Sequence, residues 1–183
     1  MNEFDCYIFH DVDLILENDM GIYTCQPNGN PQHFSGYIDK FNYRLPYRSI
    51  FGGVVAFTEK AFQQADGYSN EYWGWGGEDD DLYRRAAVGS HLNITRPNKK
   101  LYRYKMIKHG REIANKPNPI RGKLLKNWNF RWKLDGLNNL KYKVIEENIY
   151  KYYINITVDP LHNQRLPPKF LYPPVPNPKP ANQ

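Results

Sequence analysis

Apolar residues in this chain fall in short runs separated by polar and glycine-rich stretches. The run Cys6-Tyr-Ile-Phe9 is followed at once by His10-Asp-Val-Asp13, the pattern of a buried strand ending in acids. Phe51-Gly-Gly-Val-Val-Ala-Phe57 reads as a second buried strand, after which Thr58 caps a short helix over Glu59 to Asp66 that Gly67 stops. Behind Tyr72-Trp-Gly-Trp-Gly-Gly77 a helix is predicted from Glu78 to Val88, ended by Gly89. Leu101 to Ile107 alternates as a strand that delivers His109, and residues 123–134 read as a helix with Trp128 and Trp132 on one face. Lys141 to Glu147 and Tyr150 to Val158 are further candidate strands. Glu17 to Asp39 and Lys108 to Gly122 read as loops. Strands and helices mixed in this way predict an α/β domain over residues 1–160, followed by a Pro-rich tail over 161–183 whose Leu166 to Pro180 stretch cannot hold regular structure. There are no internal repeats.

At 183 residues the chain has room for one core. Aromatic residues make up 15% of it, enough for rings to serve as binding surfaces as well as packing. No stretch of about 18 apolar residues occurs, the length a membrane-spanning helix needs, and the first residues lack a signal-peptide pattern. The net charge of +6 is uneven: Arg96 to Lys133 holds thirteen Lys or Arg against the single acid Glu112, whereas Glu78 to Asp81 is four acids in a row. The basic stretch suits a solvated face or a phosphate-bearing small ligand. No zinc-finger spacing, helix-turn-helix signal or RNA-binding aromatic motif accompanies it, so nucleic acid is not the expected partner. Cys6 and Cys25 could close a disulfide worth about 3 kcal/mol in a secretory compartment, or be two buried thiols. The sequons at Asn93 and Asn155 also lean towards a lumenal protein, since they are candidate glycosylation sites.

Asp11-Val12-Asp13 at a strand end can hold a divalent cation against a diphosphate, because carboxylate oxygens suit hard metals and the metal neutralises departing phosphate. Alone, the tripeptide equally describes two surface acids at a turn. Glu78-Asp-Asp-Asp81 could be solvated acids favoured by a helix dipole, but they repel one another and a cap needs only one. Behind Trp73-Gly-Trp-Gly-Gly77 they become more specific: rings can stack on a sugar, glycines can let the segment move, and a carboxylate can accept a hydroxyl proton.

Phe9-His-Asp-Val-Asp13, Leu45-Pro-Tyr47, Phe51-Gly-Gly53, Tyr72 to Asp81, Arg96-Pro97, Met106-Ile-Lys-His109 and Asp135-Gly-Leu-Asn138, in this order, resemble the β-1,4-galactosyltransferase family. The resemblance implies a GT-A-like nucleotide-sugar transferase fold with a mixed sheet and long acceptor-side loops. It implies Mn²⁺ held by Asp13, Met106 and His109, where the soft thioether suits Mn²⁺ better than Mg²⁺. Asp79 resembles the family's catalytic base, with Glu78, Asp80 and Tyr47 on the acceptor side. Asp11, Val12, Ile50, Gly53 and Trp75 fall on the donor side, and Gly74, Gly76 and Gly77 match hinges for a mobile Trp75. Ile107 to about Lys126 resembles the family's lid, on which Arg121, Gly122 and Leu125 match the pocket for an acceptor N-acetyl group. Gly122 departs from the family's aromatic residue there, which loosens the expected pocket. Cys6 and Cys25 match the family's disulfide positions.

Ile50 stands where galactose-transferring members have Tyr, and the smaller side chain leaves room for a 2-N-acetyl group. Resemblance to invertebrate members with Ile at this place implies UDP-GalNAc as donor ahead of UDP-Gal, and a terminal GlcNAc as acceptor. In the family, earlier strands, much of the uridine surface, a membrane anchor and a stem precede the Asp-Val-Asp. The expectation is therefore an N-terminally truncated fold with an exposed edge near Cys6 to Phe9, from a type II membrane protein of the Golgi lumen. Two other readings stand beside this one. A chondroitin-synthase-like transferase shares Trp-Gly-Gly-Glu-Asp, but the second tryptophan and the Met-x-x-His pair argue against it. A sugar-binding module without turnover would not need Asp13, Met106, His109 and Asp79 together.

Overall fold

The computed structural model describes residues 4–110 and 115–161. Tyr7–His10 forms β1 and, after the Asp11-Val12-Asp13 turn, Leu14–Leu16 forms β2. The stretch read as one long loop contains two further strands, β3 at Gln32–His33 and β4 at Tyr37–Ile38. Two residues are too few to display a period of two, so their pairing is tertiary in origin. Val54–Phe57 forms β5, and Thr58 Oγ1 accepts from the Ala61 amide to cap α1, Glu59–Gln64.

Two small sheets result. One has the order β1-β5-β3 and is antiparallel throughout. The other has the order β2-β6-β4, with β6 at Arg103–Met106 antiparallel to β2 and parallel to β4, which makes it mixed as expected. All four residues of β5 are buried, and the strand's alternation divides them between two cores. Val55 and Phe57 join Phe51, Ala61, Ala65, Leu82 and Ala86 on the helical side. Val54 and Ala56 join Leu14, Phe34, Ile38 and Tyr104 between the sheets. β1 is the outer strand of its sheet among the described residues, as expected, and the Cys6–Cys25 disulfide ties its start to the loop that follows β2.

The predicted helix from Glu78 is α-helical only over α2, Glu78–Tyr83, and widens to a π-helix over Arg84–Gly89. The widened turn carries Arg85, whose buried guanidinium bonds Asp81 and the Asp135 carbonyl. The helix predicted over 123–134 begins earlier and is split into α3, Arg121–Lys126, and α4, Trp128–Arg131. The break falls at Asn127 (φ −102°, ψ 20°), a residue type that favours helix ends over interiors. Trp128 and Trp132 do share a face, with ring centroids 6.1 Å apart.

Lys143–Ile149 (β7) and Ile154–Asp159 (β8) form a separate antiparallel hairpin. Its register places Val144, Glu147, Ile149, Ile154, Ile156 and Val158 on one face and Lys143, Glu146, Asn148, Asn155, Thr157 and Asp159 on the other. The Pro-rich stretch after Leu161 lies outside the described residues. Among the described residues no helix is long and apolar enough to cross a membrane.

Candidate active site

The Asp11-Val12-Asp13 turn leaves the first sheet and enters the second. The Asp11 amide donates to the Gly53 carbonyl (2.9 Å), and the Ile107 amide donates to the Asp13 carbonyl (2.7 Å), so both ends of the turn are fixed to neighbouring segments. Leu14 is paired with Met106, which brings the thioether-bearing residue next to Asp13 despite more than ninety intervening positions. The Met106 amide is held by the Asp39 carboxylate at 2.9 Å. His109, just beyond β6, places Nε2 3.0 Å from Asp13 Oδ2. Its Nδ1 lies 2.9 Å from the Gly110 carbonyl, an acceptor only, so Nδ1 carries the proton. Nε2 therefore faces the carboxylate either as a second N–H donor or, unprotonated, as a lone pair that a cation can share with Asp13. Asp13, Met106 and His109 together offer oxygen, sulfur and nitrogen, a mixed donor set that Mn²⁺ accepts more readily than Mg²⁺, which prefers oxygen throughout.

These residues line a cavity of about 1190 Å³ together with Asp11, Val12, Trp75 and the cations Lys40 and Lys108. Val12 is almost fully exposed there, at 97%. Trp75 is 57% exposed. Its backbone is held on both sides by the segment before α3: the Trp75 amide donates to the Lys116 carbonyl (2.9 Å), and the Asn118 amide donates to the Trp75 carbonyl (3.0 Å). Gly74 has a φ of +92°, and a Cβ there would run into the Lys116 carbonyl, so close approach as well as conformation demands glycine. Arg121 lies over the Trp75 ring with its guanidinium 5.8 Å from the centroid. The lid-like segment is described only outside residues 111–114. Within it Arg121, Gly122 and Leu125 sit on α3. A Cβ on Gly122 would meet nothing within 4 Å, so a side chain can leave α3 there without collision at its first atom.

Gly77, in the left-handed conformation, opens α2 and places the four acids in its first turn. The structure separates them. Asp79 lies against Gly52 so closely that a Cβ on the glycine would collide with its Oδ2. Burial, then the charges of Asp80 and Glu78, push the Asp79 pKa up to about 6. Tyr47 faces Asp80 and Asp79, and burial and those charges hold its phenol well above the usual range. Asp81 points the other way. It is fully buried with Arg85, Arg131 and Asp135 in a network of four ion pairs, including Arg131 Nη2 to Asp81 Oδ2 at 2.6 Å and Arg131 Nη1 to Asp135 Oδ2 at 2.7 Å. This network fixes α2 to α4 and to the Asp135-Gly-Leu-Asn138 turn.

Residues 32–110 match the family described as the N-terminal domain of galactosyltransferase, and residues 1–26 match the N-terminal region of glycosyl transferase group 7. Beta-1,4-galactosyltransferase 2 of Cricetulus griseus is 44% identical over 156 residues, which are 85% of this chain and 42% of the relative. Beta-1,4-galactosyltransferase 3 of Homo sapiens is 43% identical over 157 residues, 86% of this chain and 39% of the relative. The chain belongs to the β-1,4-galactosyltransferase family. It spans about two fifths of the length of those relatives. The catalytic domain of Drosophila beta-1,4-galactosyltransferase 7, solved with xylobiose, superimposes with a TM-score of 0.66 at 25% identity, over 85% of this chain and 67% of that one. A point variant of the same enzyme, solved with manganese, UDP-Gal and xylobiose, gives a TM-score of 0.68 at 24% identity, over 86% and 68% of the two chains. The fold is thus the GT-A-like fold of β-1,4-galactosyltransferase catalytic domains.

Within this family fold, Ile50 and Gly53 lie on the segment that carries Gly52 beneath Asp79, and Gly53 accepts from Asp11. Donor-side and acceptor-side candidates therefore meet on one short stretch of backbone. Asn93 and Asn155 are both exposed. Sequence reasoning passed over Asp39, which holds Met106, and Tyr68, whose phenol is pushed up by burial and then by Asp79, Asp11 and Glu78. No local motif marks either residue.

Proposed function

We propose that the chain carries the metal, donor and acceptor sites of an inverting glycosyltransferase that moves GalNAc, or failing that Gal, from its UDP-sugar to the 4-hydroxyl of a terminal β-GlcNAc on a glycan. The observation that carries this reading is the convergence of Asp13, Met106 and His109 beside Trp75 in one cavity, with Asp79 adjoining it through the Gly52–Gly53 segment. The family membership and the manganese and UDP-Gal bound by the fly relative support it. Asp13, Met106 and His109 would hold Mn²⁺, which supplies positive charge to the departing diphosphate. Lys40 and Lys108 on the cavity wall complement the same phosphates.

Asp79 takes the proton from the acceptor hydroxyl as that oxygen attacks the anomeric carbon opposite UDP, giving inversion and a β-linkage. Its raised pKa suits the task, because a carboxylate near 6 is a stronger base than an ordinary aspartate yet remains ionised at pH 7. Glu78, Asp80 and Tyr47 bind acceptor hydroxyls, and Arg121, Gly122 and Leu125 form the N-acetyl pocket. Asp11, Val12, Ile50, Gly53 and Trp75 bound the donor. The named relatives are galactosyltransferases; Ile50 is the residue that favours GalNAc here. Such an enzyme belongs in the Golgi lumen, where the Cys6–Cys25 disulfide persists. Transfer to a GlcNAc acceptor with Mn²⁺, comparing UDP-GalNAc and UDP-Gal in the parent and in Ile50→Tyr, tests the reading. GalNAc transfer by the parent and a swing to Gal in the variant are expected. A parent that prefers UDP-Gal overturns the donor assignment, and no transfer by a version extended to its relatives' length overturns the enzyme.

A further inference from the structure

Arg96 belongs to a motif that the proposed reaction leaves without a task. Its side chain is half-buried, and Nε and Nη2 of its fork are both engaged. Nε donates to His33 Nδ1 at 3.1 Å, and Nη2 donates to the carbonyls of Arg48 (3.0 Å) and Ile50 (2.9 Å). Because Arg96 can only donate, His33 Nδ1 is the acceptor and Nε2 carries the proton. That proton goes to the Gly52 carbonyl at 3.0 Å, which also accepts from Ser35 Oγ at 2.9 Å. Ser35 Oγ in turn accepts from the Val54 amide at 2.7 Å. Three alternate carbonyls, those of Arg48, Ile50 and Gly52, are thereby fixed from one side. His33 is fully buried, and burial followed by the Arg96 charge lowers its pKa to about 4, so the ring stays neutral in this tautomer.

The segment so held has chemistry on its other side. The Asp79 carboxylate lies in the space a Gly52 side chain would fill, the Gly53 carbonyl accepts the Asp11 amide, and Ile50 is the residue read as choosing the donor. We propose that Arg96, His33 and Ser35 are positioning residues: they clamp Arg48 to Gly52 from behind, and so set the distance between the base, the donor's 2-substituent and the Asp-x-Asp turn. The inference rests on the proposed function for its chemical consequence and on the hydrogen bonds alone for the clamp.

Arg96→Lys keeps the charge but cannot reach His33 and two carbonyls at once. Ser35→Ala is a milder second variant that removes one of the two bonds to Gly52 and the acceptor of the Val54 amide. In both, hydrogen exchange of the amides across residues 48–54 should quicken about tenfold or more while α1 and β6 exchange as in the parent. The ratio of UDP-GalNAc to UDP-Gal use should shift about fivefold or more, with kcat falling on the order of 10- to 100-fold in Arg96→Lys and acceptor KM little changed. Parental exchange at 48–54 overturns the clamp. Quickened exchange with an unchanged donor ratio and kcat overturns its bearing on the chemistry. A parent chain that transfers neither sugar counts against the proposed function instead, and the exchange comparison, which requires no turnover, still decides the clamp.

Discussion

Asp79→Asn should make the protein more stable at pH 7.5 while abolishing transfer. The Asp79 carboxyl is mostly buried beside two other acids, and its pKa stands at about 6 rather than 3.8. A carboxyl whose folded pKa is raised favours the fold only in its protonated form. The associated stability is fully present below pH 3.8 and is lost as pH rises through 6, so at pH 7.5 the ionised group weakens the fold. About two pK units at ~1.4 kcal/mol each give about 3 kcal/mol, and residual solvent contact reduces this to roughly 1–2 kcal/mol. Asparagine keeps an oxygen to accept the Asp80 amide, a bond of 2.8 Å in the parent, and carries no charge. Urea unfolding in the presence of a chelator, at pH 7.5 and at pH 4, measures the effect. The variant should gain roughly 1–2 kcal/mol at the higher pH, with the gain shrinking towards zero at the lower. A variant no more stable at pH 7.5 than at pH 4, relative to the parent, refutes the argument that Asp79 is held in a destabilising charged state.

The same group predicts a kcat that falls about tenfold per pH unit below roughly pH 6, an acid limb that should be absent from binding of UDP alone. Asp81→Asn should behave oppositely to Asp79→Asn: breaking a fully buried ion-pair network costs about 3–5 kcal/mol, read as a melting temperature roughly 10 °C lower, and a loss under 1 kcal/mol would show that the four charges are not coupled. His109→Ala should weaken Mn²⁺ binding measured by calorimetry by on the order of 100-fold while leaving the fold intact, since His109 is exposed beyond β6. Gly122→Phe adds a side chain to α3 where its Cβ meets nothing within 4 Å, so it should lower the GlcNAc acceptor KM without loss of stability; an unchanged KM would remove α3 from the N-acetyl pocket.

The chemistry was most legible where its residues are adjacent. Asp11-Val12-Asp13 and the Trp73 to Asp81 run announce themselves because strand end, glycine turn and helix start are each written locally. The partnership of Asp13 with His109, 96 positions away, followed from family resemblance, because only the pairing of β2 with β6 brings them together. The four acids could not be told apart in one dimension. A helical turn points Asp79 at Gly52 and Asp81 into Arg85 and Arg131, and both destinations are tertiary. The Arg96–His33–Gly52 chain was illegible for the same reason: its members lie 63 and 19 positions apart, and neither the sign nor the spacing of the residues hints at a shared backbone target. β3 and β4 were hidden in an apparent loop because each is two residues long.

The β7–β8 hairpin has a bearing on how the protein can be handled. Ile149 is 78% exposed and Ile154 and Ile156 are more than half exposed, all on the face opposite Asn155. An oligosaccharide attached to Asn155 would spring from the polar side and would not cover the isoleucine-rich side, which carries Glu147 as its one acid among the described residues. Secretion with full glycosylation therefore offers no shield against self-association of concentrated stocks through this hairpin. Dilute samples with a mild non-ionic detergent are the appropriate state for kinetic and calorimetric work.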